Sequence, residues 1–228
     1  MFGLSKLHKA IEKGNLDEAI KLINSGENVN TSARLTKATP LFSAAIRNYT
    51  EIVKLLINKG APVNTRLRDG STPLHCLSTS NFEDTYETTE LLIDNGIDID
   101  AEDKHGQTSL FHACFNKDDS FAQFLILKGA NVNRGSKQCL PIHVAAEHST
   151  VALVKKLIQE GANINDQSST DKDTPLHYAA SGGNTEVISF LISEGADTKL
   201  INKLGRTPHT NAMLKNHKEA AKLLGKKK

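Results

Sequence analysis

Thr174-Pro175-Leu176-His177-Tyr178-Ala179-Ala180-Ser181-Gly182-Gly183-Asn184, followed by Leu191-Ile192-Ser193-Glu194-Gly195-Ala196-Asp197, is the fullest copy of a pattern that runs through nearly the whole chain. Its opening phrase returns as Ser5-Lys6-Leu7-His8, Thr39-Pro40-Leu41-Phe42, Thr72-Pro73-Leu74-His75, Thr108-Ser109-Leu110-Phe111, Leu140-Pro141-Ile142-His143 and Thr207-Pro208-His209-Thr210. The starts lie 34, 33, 36, 32, 34 and 33 residues apart. Gly26, Gly60, Gly129, Gly161 and Gly195 each follow their phrase start by 21 residues, and Gly96 follows by 24. Self-similarity at this period signals a stack of small units, none of which buries its apolar face alone.

The second copy shows what one unit is built to do. Thr39 is suited to cap a helix, its hydroxyl accepting from an unpaired N–H, and Pro40 fits the first helical position, where a missing N–H costs nothing. Leu41, Ala44 and Ala45 form a buried stripe whose small members admit a close neighbour, and Asn48 is placed to turn the chain in a left-handed conformation. Glu51 to Asn58 then carries apolar residues on one helical face and stops at Gly60. Ala61-Pro62-Val63-Asn64 leads through Asp69-Gly70, turn chemistry that returns the chain to the next Thr-Pro. The expected unit is helix, turn, helix and projecting loop.

Thr-Pro-Leu-His, the following Ala-Ala, Val-x-x-Leu-Ile and Gly-Ala-x-x-Asn together resemble the ankyrin repeat, over about residues 5 to 224. The resemblance implies an all-α solenoid of helix-turn-helix pairs with β-hairpin-like loops. It implies one ankyrin repeat domain over 1–228, with repeats starting near 5, 39, 72, 108, 140, 174 and 207. It also implies that His75, His143 and His177 are structural, tying loop to helix start. The first copy, with Glu12, Lys13, Glu18 and Lys21, and the last, with Lys215, Lys218, Lys222 and Lys226 to Lys228, look like polar caps that stop open-ended stacking. The third copy carries three extra residues within Ser78 to Tyr86, and its Phe82 and Tyr86 are a candidate contact knob.

A formal net charge of +2 over 228 residues demands neither nucleic acid nor a membrane. No aromatic-and-basic interleaving suits base stacking, and no long apolar stretch suggests a signal peptide or spanning helix. Cys76, Cys114 and Cys139 are widely spaced and lack metal-ligand pairing, so three free thiols, no metal and a cytoplasmic or nuclear location are expected. No Gly-x-Ser-x-Gly elbow, His-Glu-x-x-His motif or phosphate loop appears. An open repeat surface also gives chemistry no water-excluding pocket, so the expectation is a non-enzymatic protein without a cofactor.

Specificity then belongs to positions that the repeat leaves unassigned, the loop tips and the exposed end of each first helix, which in the ankyrin family form the concave surface. These positions offer Arg66, Arg68, Lys104, His105, Arg134 and Lys137 on the tips, with Phe115, Asn116 and His148 on first helices. The leading reading is a monomeric scaffold or adaptor that docks an acidic or mixed-charge protein segment, with Arg66, Arg68, Lys104 and Phe115 carrying most of the affinity. Two other readings accompany it. Asn30, Asn64, Asn133 and Asn165 resemble the loop asparagines modified by asparaginyl hydroxylases, and free-standing arrays resemble proteins that pathogens or symbionts secrete to bind host proteins.

Overall fold

Each helical pair begins where the recurring phrase places a cap ahead of its first turn. The structure, a computed structural model, describes residues 4–78, 85–136 and 138–225. Among these residues there are fourteen helices and no strand. The chain divides into two compact units, Met1–Lys104 and His105–Lys228.

In the first unit, α1 (Lys6–Glu12), α3 (Pro40–Ala45) and α5 (Pro73–Leu77) stack in order. Beside them run α2 (Leu16–Asn24), α4 (Thr50–Asn58) and α6 (Tyr86–Asp94), also stacked in order. The second unit repeats the arrangement. Its first helices are α7 (Ser109–Phe115), α9 (Pro141–His148), α11 (Pro175–Gly182) and α13 (Pro208–Leu214), and its second helices are α8 (Asp119–Leu127), α10 (Val151–Gln159), α12 (Thr185–Ser193) and α14 (Lys218–Leu224).

The caps form as the residue types dictate. The hydroxyls of Ser5, Thr39, Thr108, Thr174 and Thr207 accept from the amides three residues on, with Pro40, Pro175 and Pro208 at the helix start. Leu140 has no side-chain acceptor, and there the His143 ring serves alone, its Nδ1 accepting from the Leu140 amide at 3.1 Å. The second helices α2, α8 and α12 are capped differently: the side-chain oxygens of Asn15, Asp118 and Asn184 accept from the amides of Glu18, Phe121 and Val187. Asn48, at φ 56°, makes the left-handed turn expected of it. Gly183 makes the same turn at φ 69°, and a Cβ there would also lie 2.5 Å from the His217 ring, so only glycine fits.

Leu41, Ala44, Ala45, Ile52, Val53 and Leu56 are fully buried in the second copy, and Leu176, Ala179, Ala180, Val187, Ile188 and Leu191 occupy the same places in the sixth. Burying one such leucine or isoleucine contributes roughly 2 kcal/mol. Alanines on the first helices let the layers approach, as the sequence suggested.

In the last copy Lys215, Lys218 and Lys222 are exposed, and so are Met213 (56%) and Leu214 (57%). The insertion residue Phe82 lies outside the described residues, as do Lys137 and Lys226 to Lys228. Tyr86 opens α6 and is half-buried.

Candidate partner-binding surface

The loops close on themselves like short hairpins. Amide-to-carbonyl bonds join Leu67 to Ser71, Ser136 to Cys139 and Asn202 to Arg206 at 2.9 to 3.0 Å, and Ala33 to Ala38 at 2.8 Å. Successive tips are also knitted by backbone. In the first unit the Arg68 amide donates to the Thr36 carbonyl (3.1 Å) and the Lys104 amide to Asp69 (2.8 Å). In the second unit Thr170 donates to Gln138 and Lys203 to Asp171, both at 2.8 Å. The tips are therefore a fixed ridge within each unit, and side chains on them start from an ordered backbone.

Beneath the ridge, histidines join one copy to the next. Nδ1 of His75, His143 and His177 accepts from the amides of Thr72, Leu140 and Thr174 at 3.1 to 3.2 Å. The opposite nitrogen, Nε2, donates to the loop that follows: His143 to Asp166 O at 3.2 Å and His177 to Arg206 O at 2.9 Å. An Nδ1 that accepts from an amide N–H carries no proton, which leaves the neutral ring in the Nε2–H tautomer. His8 does the same work from the first copy, its Nε2 lying 2.9 Å from Ala38 O. Sequence reading did not give His8 this role, although it stands at the fourth position of its phrase.

Arg66 and Arg68 bridge tips through their guanidinium groups. Arg68 Nη2 donates to Arg34 O at 2.9 Å, while Arg66 Nη1 donates to Glu102 O at 2.8 Å and Gly70 O at 3.3 Å. Arg66 also stands 3.9 Å from the Asp98 carboxylate. In the second unit Gln167 makes the equivalent pair of bonds, from Nε2 to Lys172 O and Ile201 O at 3.0 Å. A neutral amide makes a similar pair of bonds there, so the bridging itself needs no charge. Arg68 and Lys104 remain exposed tip cations. Between them in sequence, Asp69 is held below the usual carboxylate range: burial works against ionisation, but hydrogen bonds from Ser71 and the charge of Lys104 outweigh it.

In the second unit Phe115 is 58% exposed at the end of α7, its ring 6.4 Å from Phe111 and nearly parallel. Asn116, His105 and Arg134 are exposed, and His148 is exposed with Nε2 3.5 Å from Glu147. The asparagines have a structural task. Asn64 donates to Gly96 O and accepts from the Asp98 amide, Asn133 donates to Gly161 O, and Asn165 accepts from the Asp197 amide.

Sequence reasoning favoured charge and so passed over exposed apolar residues. Leu35 is 80% exposed on the first tip, Ile201 and Leu204 are each more than half exposed in the loop of the sixth copy, and Met213 and Leu214 in the last copy. The signal was present: Leu204 stands three residues before Thr207, the place taken by Asp69 before Thr72 and His105 before Thr108.

Among the described residues no group of three or more His, Cys, Asp or Glu is arranged to hold a metal ion, and no helix is long and apolar enough to cross a membrane. Burial pushes the Cys76 thiol up to about 11 and raises Cys114 and Cys139 as well, so all three stay protonated and weakly nucleophilic at neutral pH.

Stacked helix pairs, histidine-tied caps and projecting hairpin loops define a helical repeat array. A sequence profile described as ankyrin repeats in three copies matches residues 7–103, 63–136 and 142–228, and the chain belongs to the ankyrin repeat family. It is 37% identical over 113 residues to human ankyrin repeat and SOCS box protein 6, a match that spans 49% of this chain and 26% of that protein. It is 31% identical over 161 residues to the fowlpox virus putative ankyrin repeat protein FPV230, spanning 70% and 84%. Among solved structures, the human ASB11 ankyrin repeat domain superposes with a TM-score of 0.81 at 27% identity, over 99% of this chain and 100% of that one. Ankyrin repeats are in general protein–protein interaction modules without catalytic activity of their own.

Proposed function

We propose that the chain is a non-enzymatic adaptor that docks an acidic or mixed-charge protein segment through its loop tips. The observation that carries this reading is the backbone-knitted ridge of the first unit, where Arg34, Lys37, Arg68 and Lys104 are exposed beside the protruding Leu35. Arg68 is already ordered by its bond to Arg34 O, which lowers the entropy lost on binding. Leu35 adds an apolar contact on the first tip, between Arg34 and Lys37 in sequence. Phe115 is the corresponding anchor in the second unit, because an exposed ring backed by Phe111 presents area with little freedom to lose. Three free, protonated thiols suit a reducing compartment such as the cytosol or nucleus.

Affinity capture from lysate tests this reading, comparing the wild-type chain with Arg68→Glu/Lys104→Glu. Selective loss of a captured protein is expected, with Arg66→Gln retaining it because Gln167 shows that an amide completes the bridge. Equal capture by wild type and the charge-reversed pair would overturn the tip assignment.

A further inference from the structure

We infer that α6, the second helix of the third copy, opens locally ahead of its neighbour α4, and that this opening makes Asn95 at its end a site of spontaneous deamidation. Register singles the helix out. The place of Thr89 is taken in the six other copies by Ala19, Val53, Ala122, Val154, Ile188 and Ala221, each at most 3% exposed. Thr89 is itself fully buried, and its Oγ1 has no hydrogen-bond partner. A hydroxyl held away from water without a partner favours any state that readmits water. Thr88, also fully buried, stands where copies two, four, five and six have Ile52, Phe121, Leu153 and Val187. Its hydroxyl is satisfied only across the copies, by Asn48 Oδ1 and Thr50 Oγ1 at 2.6 Å each. The two helices of every other copy also pack on each other more closely than α5 and α6 do, and α6 begins without a side-chain cap. Thin packing and a missing cap put a helix at the low end of local stability. The opening has a limit, because Asn64 holds Gly96 O at 2.8 Å and the Asp98 amide at 2.7 Å, and the Lys104 amide holds Asp69 O. The loop tip keeps its place while the helix opens.

Asn95-Gly96 is the one Asn-Gly pair in the sequence, and Asn95 is exposed. With no Cβ on Gly96, its amide nitrogen approaches the Asn95 side chain unhindered. In the closed helix both reacting groups are engaged: Asn95 Nδ2 donates to Leu91 O at 2.8 Å, and the Gly96 amide donates to Ile93 O at 2.9 Å. Opening α6 removes both acceptors. The Gly96 nitrogen then yields its proton to water and attacks Asn95 Cγ. The N–Cγ bond forms, the Cγ–Nδ2 bond breaks, and Nδ2 takes up a proton and leaves as ammonia. Water adds to either carbonyl of the resulting succinimide and opens it to aspartate or isoaspartate. The product places a new carboxylate at the C-terminal end of α6, where the helix dipole disfavours negative charge, so the modification weakens the helix that permitted it.

Hydrogen exchange and peptide mass spectrometry on the full chain at neutral pH test the two links together. The α6 amides should exchange about tenfold or more faster than those of α4, and Asn95 should convert to acid over the same incubation. Thr89→Val keeps the shape and removes the unpartnered hydroxyl, so it should slow α6 exchange and Asn95 conversion by a common factor of about five or more, with α4 unchanged. A peptide spanning residues 91–99 supplies the rate without the helix, and it should exceed that of the folded chain. Exchange of α6 no faster than that of α4 would overturn the inference, as would α6 exchange that Thr89→Val leaves unchanged or raises. Conversion of Asn95 at the same rate in wild type and Thr89→Val would show that fraying of the last turn alone exposes it, and would overturn the link between opening and deamidation.

Discussion

An imidazole that accepts a hydrogen bond at Nδ1 while donating one from Nε2 cannot take up a proton without losing the first contact. His143 and His177 are in this state, each accepting from a backbone N–H at Nδ1, and burial holds both of them, and His8, below the usual histidine value despite the acceptors that favour the charged form. The unfolded chain, with histidines near pH 6.5, then binds protons that the folded chain refuses. Stability is full above that value and falls as the pH drops through it toward the folded values. Urea titrations between about pH 7.5 and 5.5 should therefore show the midpoint moving down, and His177→Ala should flatten that dependence. The same substitution strands the Arg206 carbonyl and the Thr174 amide, and it should cost roughly 1–3 kcal/mol at neutral pH. A pH-independent midpoint would contradict neutral, hydrogen-bonded rings.

At the scale of the element, each helix start and turn is a local decision that the chain states openly. Thr39→Ala removes the acceptor for the Phe42 amide and should lower stability by about 1 kcal/mol in a denaturant titration. Lys172 sits at φ 56°, a conformation that glycine adopts without penalty and that Gly70, Gly106 and Gly205 supply in other copies. Lys172→Gly should be neutral or stabilise by up to about 1 kcal/mol, and a clear loss would show that the lysine side chain holds the loop. Helix positions were legible because threonine, proline and glycine act within a few residues of themselves. The bridging of Arg66, the matching role of Gln167 and the exposure of Leu35 were not, because each depends on where a neighbouring loop comes to rest.

At the scale of the molecule, each unit is a stack whose layers gain their stability from their neighbours. Phe121, 1% exposed in the second unit, should cost about 3–5 kcal/mol when replaced by alanine, measured by calorimetry or denaturant titration. The family was legible throughout the sequence, since seven registered copies leave little room for another fold. The binding surface was legible only as a set of positions, because the repeat fixes where side chains project and leaves their chemistry to the individual chain. The central claim is that a protein partner lies on the loop tips, and hydrogen exchange of the chain with and without its captured partner tests it most directly. Protection is expected in residues 32–38, 66–72 and 102–104 of the first unit, with α2, α4 and α6 unchanged. Protection confined to those second helices, with the tips exchanging as before, would contradict it.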